Sequence, residues 1–315
     1  MKRRCLEESR SIGIVLKTIG HGHLETCSAY GSHNGETGPL TSYVARVCYL
    51  GGRYHGSQYQ PGLDTIQSEL IEAVSKWSGD PHSTQTIQLA GRTDRGVHSI
   101  GQIVQIVTER PLNIDRINRH LPWDITLWAY APAPRNFRPR FDALMRHYRY
   151  YFDVPSSSFN LSSMRHSLQL MEGSHNFHQL AKPDGDRPTT STILNACLIE
   201  QNGALVLDLF GTSFLWKFVR KTVSLLQEIG EGKSSPSLIT DILSGHSVIP
   251  SGIRPAPPEN LVLVETVVSL RMKPSKFAIR RIHKHIGDHL KFLGRFKVTL
   301  TAVTNDYLSN LRDFP

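Results

Sequence analysis

Residues 90–98, Ala90-Gly-Arg-Thr-Asp-Arg-Gly-Val-His98, are the stretch that decides the fold. They lie between two segments of β-type sequence, residues 87–90 and 101–107, in which Ile and Val supply most of the apolar side chains. Gly91 and Gly96 permit a tight turn or a close backbone approach at both ends of the stretch. We therefore predict a glycine-bounded loop between two strands.

The sequence before this loop adds one strand and one helix. Residues 43–50 have a strand-like pattern that ends at a Gly-Gly turn. After a further loop, Asp64 and Gln67 are predicted to cap the first turn of a helix reciprocally. The apolar side chains of that helix recur at helical spacing and are Ile66, Leu70, Val74 and Trp77. The order strand, helix, strand, loop, strand is α+β.

Elements of both kinds continue to the end of the chain. The patterns predict helices over residues 115–121, 161–172, 214–229 and 237–243, and strands over 125–130, 146–152, 196–200, 204–209 and 261–270. We divide the chain into a flexible N-terminal extension (1–40), an N-terminal α+β domain that contains the Asp94 loop (41–140), a C-terminal α+β domain (141–274) and a basic C-terminal tail (275–315).

Composition narrows the class of protein. The 315 residues are 39% hydrophobic and 20% charged, which is typical of globular proteins. No segment reaches the roughly 20 apolar residues of a membrane span, so we expect a cytoplasmic protein with no membrane partner. The four cysteines form no C-x-x-C pair, which argues against a disulfide framework and a Cys-based zinc site. A net charge of +9 is typical of nucleic-acid binding but is a weak sign alone.

The loop carries one carboxylate among guanidinium groups. Asp94 lies two residues after Arg92 and next to Arg95. Neighbouring positive charges favour the ionised carboxylate, which suits a nucleophile or a general base. A salt-bridged surface turn explains the same residues without any chemistry. Physical reasoning from these residues alone leaves both interpretations open.

Arginines alternate with aromatic residues in a second region. Residues 137–141 are Phe-Arg-Pro-Arg-Phe, and residues 146–150 are Arg-His-Tyr-Arg-Tyr. Guanidinium groups can bind phosphates bidentately, and aromatic rings can stack on unpaired bases. The alternative is a strand edge whose arginines are solvated.

Eight motifs, in this order, resemble the tRNA pseudouridine synthase A family over residues 43–270. They are Tyr54-His-Gly-Ser-Gln58 with Thr65-Ile-Gln67, Gly91-Arg-Thr-Asp-Arg-Gly-Val-His98, Asn118-Arg-His-Leu-Pro-Trp-Asp-Ile125, Phe137-Arg-Pro-Arg-Phe141, Arg146-His-Tyr-Arg-Tyr150, Gly173-Ser-His-Asn-Phe177, Gly211-Thr-Ser-Phe-Leu-Trp-Lys-Phe-Val-Arg-Lys221 and Pro255-Ala-Pro-Pro-Glu-Asn-Leu261. The variant Ser213-Phe-Leu-Trp216 is closer to archaeal or eukaryotic members than to bacterial ones.

The resemblance implies a role for particular residues. Asp94 matches the catalytic aspartate, Arg220 the arginine that partners it, Tyr148 the active-site tyrosine that also contacts the substrate, and Arg92 the arginine that assists base flipping. The tRNA-contacting positions are Phe137, Arg138, Arg140, Phe141 and Arg187. Thr190 and Ser191 depart from a frequent Trp-Arg pair, and Arg95 replaces a frequent Ala.

The resemblance also implies the fold and the reaction. The fold is pseudouridine synthase-like, with two domains of mixed, largely antiparallel sheet flanked by helices, and the enzyme is a homodimer. It isomerises uridine to pseudouridine in the anticodon stem-loop of tRNA, at positions 38–40, without a cofactor. Asp94 attacks C1′ or the uracil ring, or takes a proton from the ribose, and the sequence does not choose among these routes. A non-catalytic RNA-binding protein or chaperone on the same fold is the alternative.

Two features leave alternatives open. In the basic tail, Ile282, Ile286, Leu290 and Leu293 have helical spacing, which fits either a helix docked by its apolar stripe or an RNA-contacting appendage. Histidines cluster near the N-terminus, at His21, His23 and His33 beside Cys27, and again in the tail, at His283, His285 and His289. No recognised ligand spacing organises either cluster, so we predict no metal site.

Overall fold

A computed structural model describes residues 39–185, 188–201, 204–246 and 252–303. The strands are β1 (Thr41–Tyr49), β2 (Ile87–Leu89), β3 (His98–Thr108), β4 (Ile125–Pro132), β5 (Ala143–Tyr151), β6 (Gly173–Asn176), β7 (Thr190–Gln201), β8 (Ala204–Gly211), β9 (Leu261–Val268) and β10 (Lys273–Pro274). The helices are α1 (Ile66–Ser78), α2 (Ile114–Ile117), α3 (Leu161–Met171), α4 (Phe218–Gly230), α5 (Ser237–Ser244) and α6 (Lys276–Val303).

One ten-stranded sheet runs through the described chain. Its order is β10-β4-β1-β3-β9-β5-β8-β7-β6, and β2 pairs with β3 beside this path. β3 and β9 are parallel, with His98 opposite Val262 and Ser99 opposite Leu263, and the other described pairs are antiparallel. The predicted α+β class with a largely antiparallel sheet is therefore confirmed. The domain boundary at residue 140 stays a prediction, since the sheet is continuous across it.

Two large apolar clusters cover the two halves of the sheet. In the first half, α1 and α2 pack on β1, β3 and β4 through buried side chains such as Leu70, Ile106 and Ile117. In the second half, α3, α4 and α5 contribute to a larger cluster that includes Phe177 and Phe218. The loop that carries Asp94, here called the catalytic-loop candidate (residues 90–97), directly precedes β3. It contacts both clusters, because its Val97 belongs to the second and its Thr93 bonds Tyr49 of the first.

The cap of α1 differs from the prediction. Thr65, not Asp64, is the N-cap residue, and its hydroxyl accepts from Ser68 N at 3.1 Å while Ser68 Oγ accepts from Thr65 N at 2.9 Å. Gln67 is buried and is used elsewhere, because its Nε2 donates to Ile87 O at 2.7 Å. A hydroxyl pair therefore caps the helix, and the glutamine holds it against β2.

α4 begins four residues later than the periodicity predicts. Lys217 has a φ of 63°, in the left-handed region, and it precedes the first helical residue, Phe218. This conformation interrupts a helix that the apolar spacing alone would start at Phe214. The turn at Lys217 therefore leaves Trp216 outside the helix.

The predicted helix in the basic tail is present as α6, which has 28 residues. Along the parts of the chain that the structure describes, no helix combines the length and the apolar character needed to cross a membrane. The N-terminal extension, including its His and Cys cluster, lies outside the described residues except for Pro39 and Leu40.

The parallel junction of β3 and β9 requires a glycine at residue 101. A Cβ on Gly101 would lie 2.3 Å from Val264 O, whereas a Cβ on Gly52 would have no atom within 4 Å. Gly101→Ala must push two paired strands apart, so we expect it to lower the free energy of unfolding by about 2 kcal/mol or more. Gly52→Ala is the matched control and should change it by less than about 0.5 kcal/mol.

Urea denaturation of both variants measures this difference. Equal midpoints for the two variants would show that the β3–β9 contact is not a close one.

Candidate active site

The loop that carries Asp94 is fixed by its buried neighbour Thr93. Thr93 N donates to Ser57 Oγ at 2.8 Å, Ser57 N donates to Thr93 O at 3.0 Å, and the Thr93 hydroxyl lies 2.8 Å from Tyr49 Oη. Thr93 and Ser57 are both buried. Because the residue before Asp94 is held from three directions, the carboxylate has a defined position although it lies in a loop.

Gly96 ends the loop and allows two segments to approach it. Its φ is +88°, and a Cβ at this position would lie 2.8 Å from Pro258 Cγ. Its amide donates to Gly51 O at 3.2 Å. A residue other than glycine would be strained here and would collide with the loop before β9.

The Asp94 carboxylate is bound through both of its oxygens. Arg220 Nη1, in the first turn of α4, donates to Oδ2 at 2.7 Å, and Trp216 Nε1 donates to Oδ1 at 3.1 Å. Arg220 Nε donates to Ala256 O at 2.6 Å, which fixes the guanidinium itself. The side chains of Asp94 and Arg220 are 19% and 14% exposed, so the ion pair is largely desolvated yet still open to a ligand.

Sequence reasoning named Arg220 but gave no role to Trp216. Lys182 Nζ lies 4.0 Å from the centroid of the Trp216 ring, and Lys182 N donates to Trp216 O at 2.9 Å. The left-handed Lys217 separates Trp216 from the first residue of α4. A tryptophan followed by a lysine is common in protein sequences. The only feature that could have marked Trp216 as a site residue was its position four residues before Arg220.

Tyr148 lies on β5 and is buried, within electrostatic range of the Asp94 carboxylate. Its ring makes an edge contact with Phe214, with centroids 5.1 Å apart. Burial is the main cause that raises the pKa of Tyr148 above its usual range, and the nearby Asp94 charge raises it further. The phenol therefore stays neutral throughout the physiological pH range.

Arg92 lies in the same loop, two residues before Asp94. Its Nη1 donates to Asp184 Oδ1 at 3.2 Å, and its side chain is mostly exposed. Asp184 belongs to the segment 181–185, which Lys221 Nζ also holds by donating to Ala181 O at 3.1 Å. Arg187, which follows this segment, lies outside the described residues.

The segment 137–141 is divided between core and surface. Phe137 is buried in a third apolar cluster with Val44 and Ile103. Arg138 and Arg140 are exposed, and Phe141 is 70% exposed with the Arg138 guanidinium 4.9 Å from its ring centroid. Three residues of the motif, Arg138, Arg140 and Phe141, therefore present side chains at the surface, whereas Phe137 and Pro139 are buried.

The arginines of the second basic-aromatic motif point into the protein. Arg146 is buried and donates to the carbonyl oxygens of Thr212, Ala90 and Arg140 at 2.6, 2.9 and 3.0 Å. Arg149 donates through Nε and Nη2 to the Asp208 carboxylate at 2.8 and 2.7 Å. These two guanidinium groups bind within the fold.

The two departures from the family pattern lie at the edge of the site. Thr190 and Ser191 begin β7, and the Ser191 hydroxyl donates to Ser213 O. Ser191 therefore ties β7 to the segment that carries Trp216. Arg95 is exposed in the catalytic-loop candidate.

Comparisons with known proteins identify the family. A family model described as tRNA pseudouridine synthase matches residues 168–267. The tRNA pseudouridine synthase A of Methanothermobacter thermautotrophicus is 32% identical over 279 residues, which cover 87% of this chain and 98% of that protein. The chain belongs to the tRNA pseudouridine synthase family.

A second member of the family gives the same result. The tRNA pseudouridine synthase A of Methanosarcina acetivorans is 35% identical, covering 78% of this chain and 93% of that protein. A crystal structure of a Cbf5-Nop10-Gar1 complex matches 70% of this chain and 48% of that chain at 13% identity, with a TM-score of 0.31, which is too low to add to the argument. The family resemblance predicted from the motifs is confirmed, and the enzyme class is isomerase.

No group of three or more His, Cys, Asp or Glu side chains within the described ranges is arranged to hold a metal ion. In the tail cluster, His285 and His289 instead contact the ring of Trp123, with centroid distances of 6.4 and 4.9 Å.

Arg146 connects the strand before Asp94 to two other segments, so its replacement should destabilise the fold. A lysine has a single ammonium group in place of the planar guanidinium, so it cannot donate to all three carbonyl oxygens that Arg146 binds. We expect Arg146→Lys to lower the free energy of unfolding by about 2–3 kcal/mol, because buried carbonyl groups lose their donors. Arg138→Lys, at an exposed arginine, is the control and should change it by less than about 0.5 kcal/mol.

Chemical denaturation followed by tryptophan fluorescence measures both variants. A stability of Arg146→Lys equal to that of the control would contradict the structural role.

Proposed function

We propose that this chain converts uridine to pseudouridine in the anticodon stem-loop of tRNA, at positions 38–40, with Asp94 as the catalytic carboxylate. The N1–C1′ bond breaks, a C5–C1′ bond forms, the C5 proton leaves and N1 takes a proton from water. The reaction has no net redox change. The observation that carries the proposal is the partly exposed Asp94 carboxylate, bound by Arg220 at 2.7 Å and Trp216 at 3.1 Å.

Arg220 and Trp216 orient the carboxylate in this proposal. The guanidinium supplies a countercharge at Oδ2, and the indole N–H holds Oδ1. Since both donors are fixed by other parts of the fold, little reorganisation is needed when the carboxylate meets the ribose or the uracil ring. Arg220 acts as the partner of Asp94, and Trp216 is a positioning residue.

Tyr148 supplies an aromatic ring and a hydroxyl within electrostatic range of Asp94. We assign it to contact with the flipped uracil and to transfer of the C5 proton. Because burial raises the pKa of Tyr148, the phenol is neutral and must pass on its own proton when it accepts another. Tyr148 therefore requires a second proton acceptor for that step.

Arg92 is assigned to stabilising the flipped base. A target uridine in a stem must leave the stack, which costs a few kcal/mol, and an arginine that fills the vacancy offsets part of this cost. The Arg92–Asp184 ion pair is exposed on the arginine side, so exchanging it for contacts with RNA costs at most about 1 kcal/mol.

The exposed side chains of Arg138, Arg140 and Phe141 suit contact with phosphates and unpaired bases. Phe137, which is buried, supports them from the core. Arg187 completes the proposed tRNA-contacting set on the strength of the family resemblance alone.

The same resemblance supports a homodimer that acts in the cytoplasm and uses no cofactor. The net charge of +9 suits a polyanionic partner.

The first test is release of tritium from tRNA transcripts labelled at uridine C5. We expect release by the wild type and a loss of at least 1,000-fold for Asp94→Asn, because the amide keeps the shape but not the charge of the carboxylate. Asp241→Asn, at an exposed carboxylate on α5, should retain full activity. Transcripts with cytidine at positions 38–40 test the site of modification.

Two outcomes separate the alternatives. Tight binding of tRNA with no release by the wild type would favour a non-catalytic RNA-binding protein. Full activity of Asp94→Asn would overturn the assignment of the catalytic carboxylate.

The second test removes one hydrogen bond from Asp94. Trp216→Phe keeps an aromatic ring next to Lys182 but has no N–H for Oδ1. We expect single-turnover rates at saturating enzyme to fall about tenfold with little change in tRNA affinity, since one charge-assisted hydrogen bond is lost. Trp128→Phe, which removes an N–H bound to Ile100 O, is the matched control and should retain its rate. Equal rates for the two variants would show that Trp216 does not position Asp94.

A further inference from the structure

The last helix of the described chain, α6, docks on the sheet by its first half only. Ser275 N donates to Trp128 O at 2.8 Å, and Arg281 Nη2 donates to the carbonyl oxygens of Leu121 and Pro122 at 3.0 and 2.9 Å. The imidazole of His289 contacts the ring of Trp123. Every residue from 290 to 303 is exposed. These 14 residues, called the arm below, correspond to about 20 Å of helix.

The arm leaves the body at the end of the sheet where Asp94 lies. Ser275, just before α6, contacts Trp128, Arg281 contacts Thr126, and His289 contacts Trp123. The helix therefore runs antiparallel to β4 and extends past Ile125, the first residue of β4. Ile125 is paired with Tyr49 of β1, and Tyr49 with Ser99 at the start of β3. The catalytic loop directly precedes β3. The arm therefore extends beyond the end of the sheet at which the Asp94 loop lies. It leaves from β4, which is two strands away from β3.

The charged side chains of α6 are almost all positive. The helix contains seven Lys and Arg residues and one acidic residue, Asp288. Three of the cations, Lys291, Arg295 and Lys297, are on the arm. A second α6 from another copy of the chain would bring positive charge against positive charge, whereas a nucleic-acid backbone is complementary to it.

Aromatic rings lie among these cations. Phe292 and Phe296 are 53% and 50% exposed, and their rings are stacked one turn apart with centroids 6.1 Å apart and an interplanar angle of 7°. Proteins that bind unpaired nucleotides combine exposed aromatic rings with basic side chains in this way. An apolar stripe that served only to dock the helix would end where the contacts with the body end.

We propose that the arm is a second RNA-binding element, which contacts the phosphates of the bound tRNA through Lys291, Arg295 and Lys297 and unpaired bases through Phe292 and Phe296. The inference rests on the proposed function in one respect, that the substrate is tRNA. It does not depend on which residue is catalytic.

The test compares two triple variants of the full chain. One is Lys291→Ala with Arg295→Ala and Lys297→Ala. The control is Lys76→Ala with Arg110→Ala and Lys233→Ala, which removes the same charge from three exposed side chains. Lys76 and Lys233 lie at or beyond the C-terminal ends of α1 and α4, and Arg110 follows β3. The opposite ends of these three elements adjoin the catalytic loop.

The measurement is the dissociation constant of an unmodified tRNA transcript at several salt concentrations. We expect the arm variant to bind at least tenfold more weakly and to reduce the slope of log K against log salt by about 2 to 3, as the loss of three phosphate contacts requires. The single-turnover rate of the control variant at saturating enzyme should stay within twofold of wild type. The control should keep its slope within about 0.5.

A slope for the arm variant equal to that of the control would overturn the inference. A wild type that binds no tRNA would instead overturn the proposed function, and the inference with it.

A second variant tests the aromatic residues separately. Phe292→Ala with Phe296→Ala should weaken tRNA binding about tenfold or more without changing the salt slope, because stacking releases no counterions. If this variant left tRNA affinity unchanged but converted a dimer to a monomer in sedimentation velocity, the arm would be a contact between protein copies and the inference would be wrong.

Discussion

The ion pair between Asp94 and Arg220 joins residues 126 positions apart in the sequence, and the rest of the site is arranged around it. Asp94 comes from a loop of the first half of the chain, and Arg220 from the first turn of a helix in the second half. Each partner is held by groups outside the pair. Thr93, the residue before Asp94, is fixed by Ser57 and Tyr49, and Arg220 is fixed by Ala256. A largely desolvated ion pair is favourable only when its geometry is secured in this way.

The continuous sheet is what makes that geometry possible. The parallel pairing of β3 with β9 places the loop before β3 next to the loop before β9, where Gly96 meets Pro258. Arg146 adds a second connection, because its guanidinium binds carbonyl oxygens from three segments. An arginine in a basic-aromatic motif thus serves the fold, while the exposed arginines nearby, Arg138 and Arg140, remain at the surface.

Much of this arrangement could be predicted from the sequence, and the failures have physical causes. The motif order was sufficient for the family, the α+β class and the proposed pairing of Asp94 with Arg220. Trp216 was missed because its contact with Asp94 joins residues 122 positions apart, which no local pattern indicates. Phe137 and Phe141 are equivalent in a motif, but only tertiary packing buries the first and exposes the second. The apolar stripe of α6 predicted the helix correctly but could not indicate where the protein body beneath it ends.

The distance along the chain between the paired strands has a consequence for biosynthesis. Ser99 Oγ donates to Leu263 O, a contact that spans 164 residues, and neither β3 nor the loop before it has its parallel neighbour until β9 has been made. During translation the loop with Asp94 leaves the ribosome long before Arg220 and β9 do. Until β9 has been synthesised, the first residues of β3 present an unpaired strand edge in the nascent chain. Asp94 therefore acquires its partners only after Arg220 and β9 have been synthesised, and a chain that stops before them carries Asp94 without a site around it.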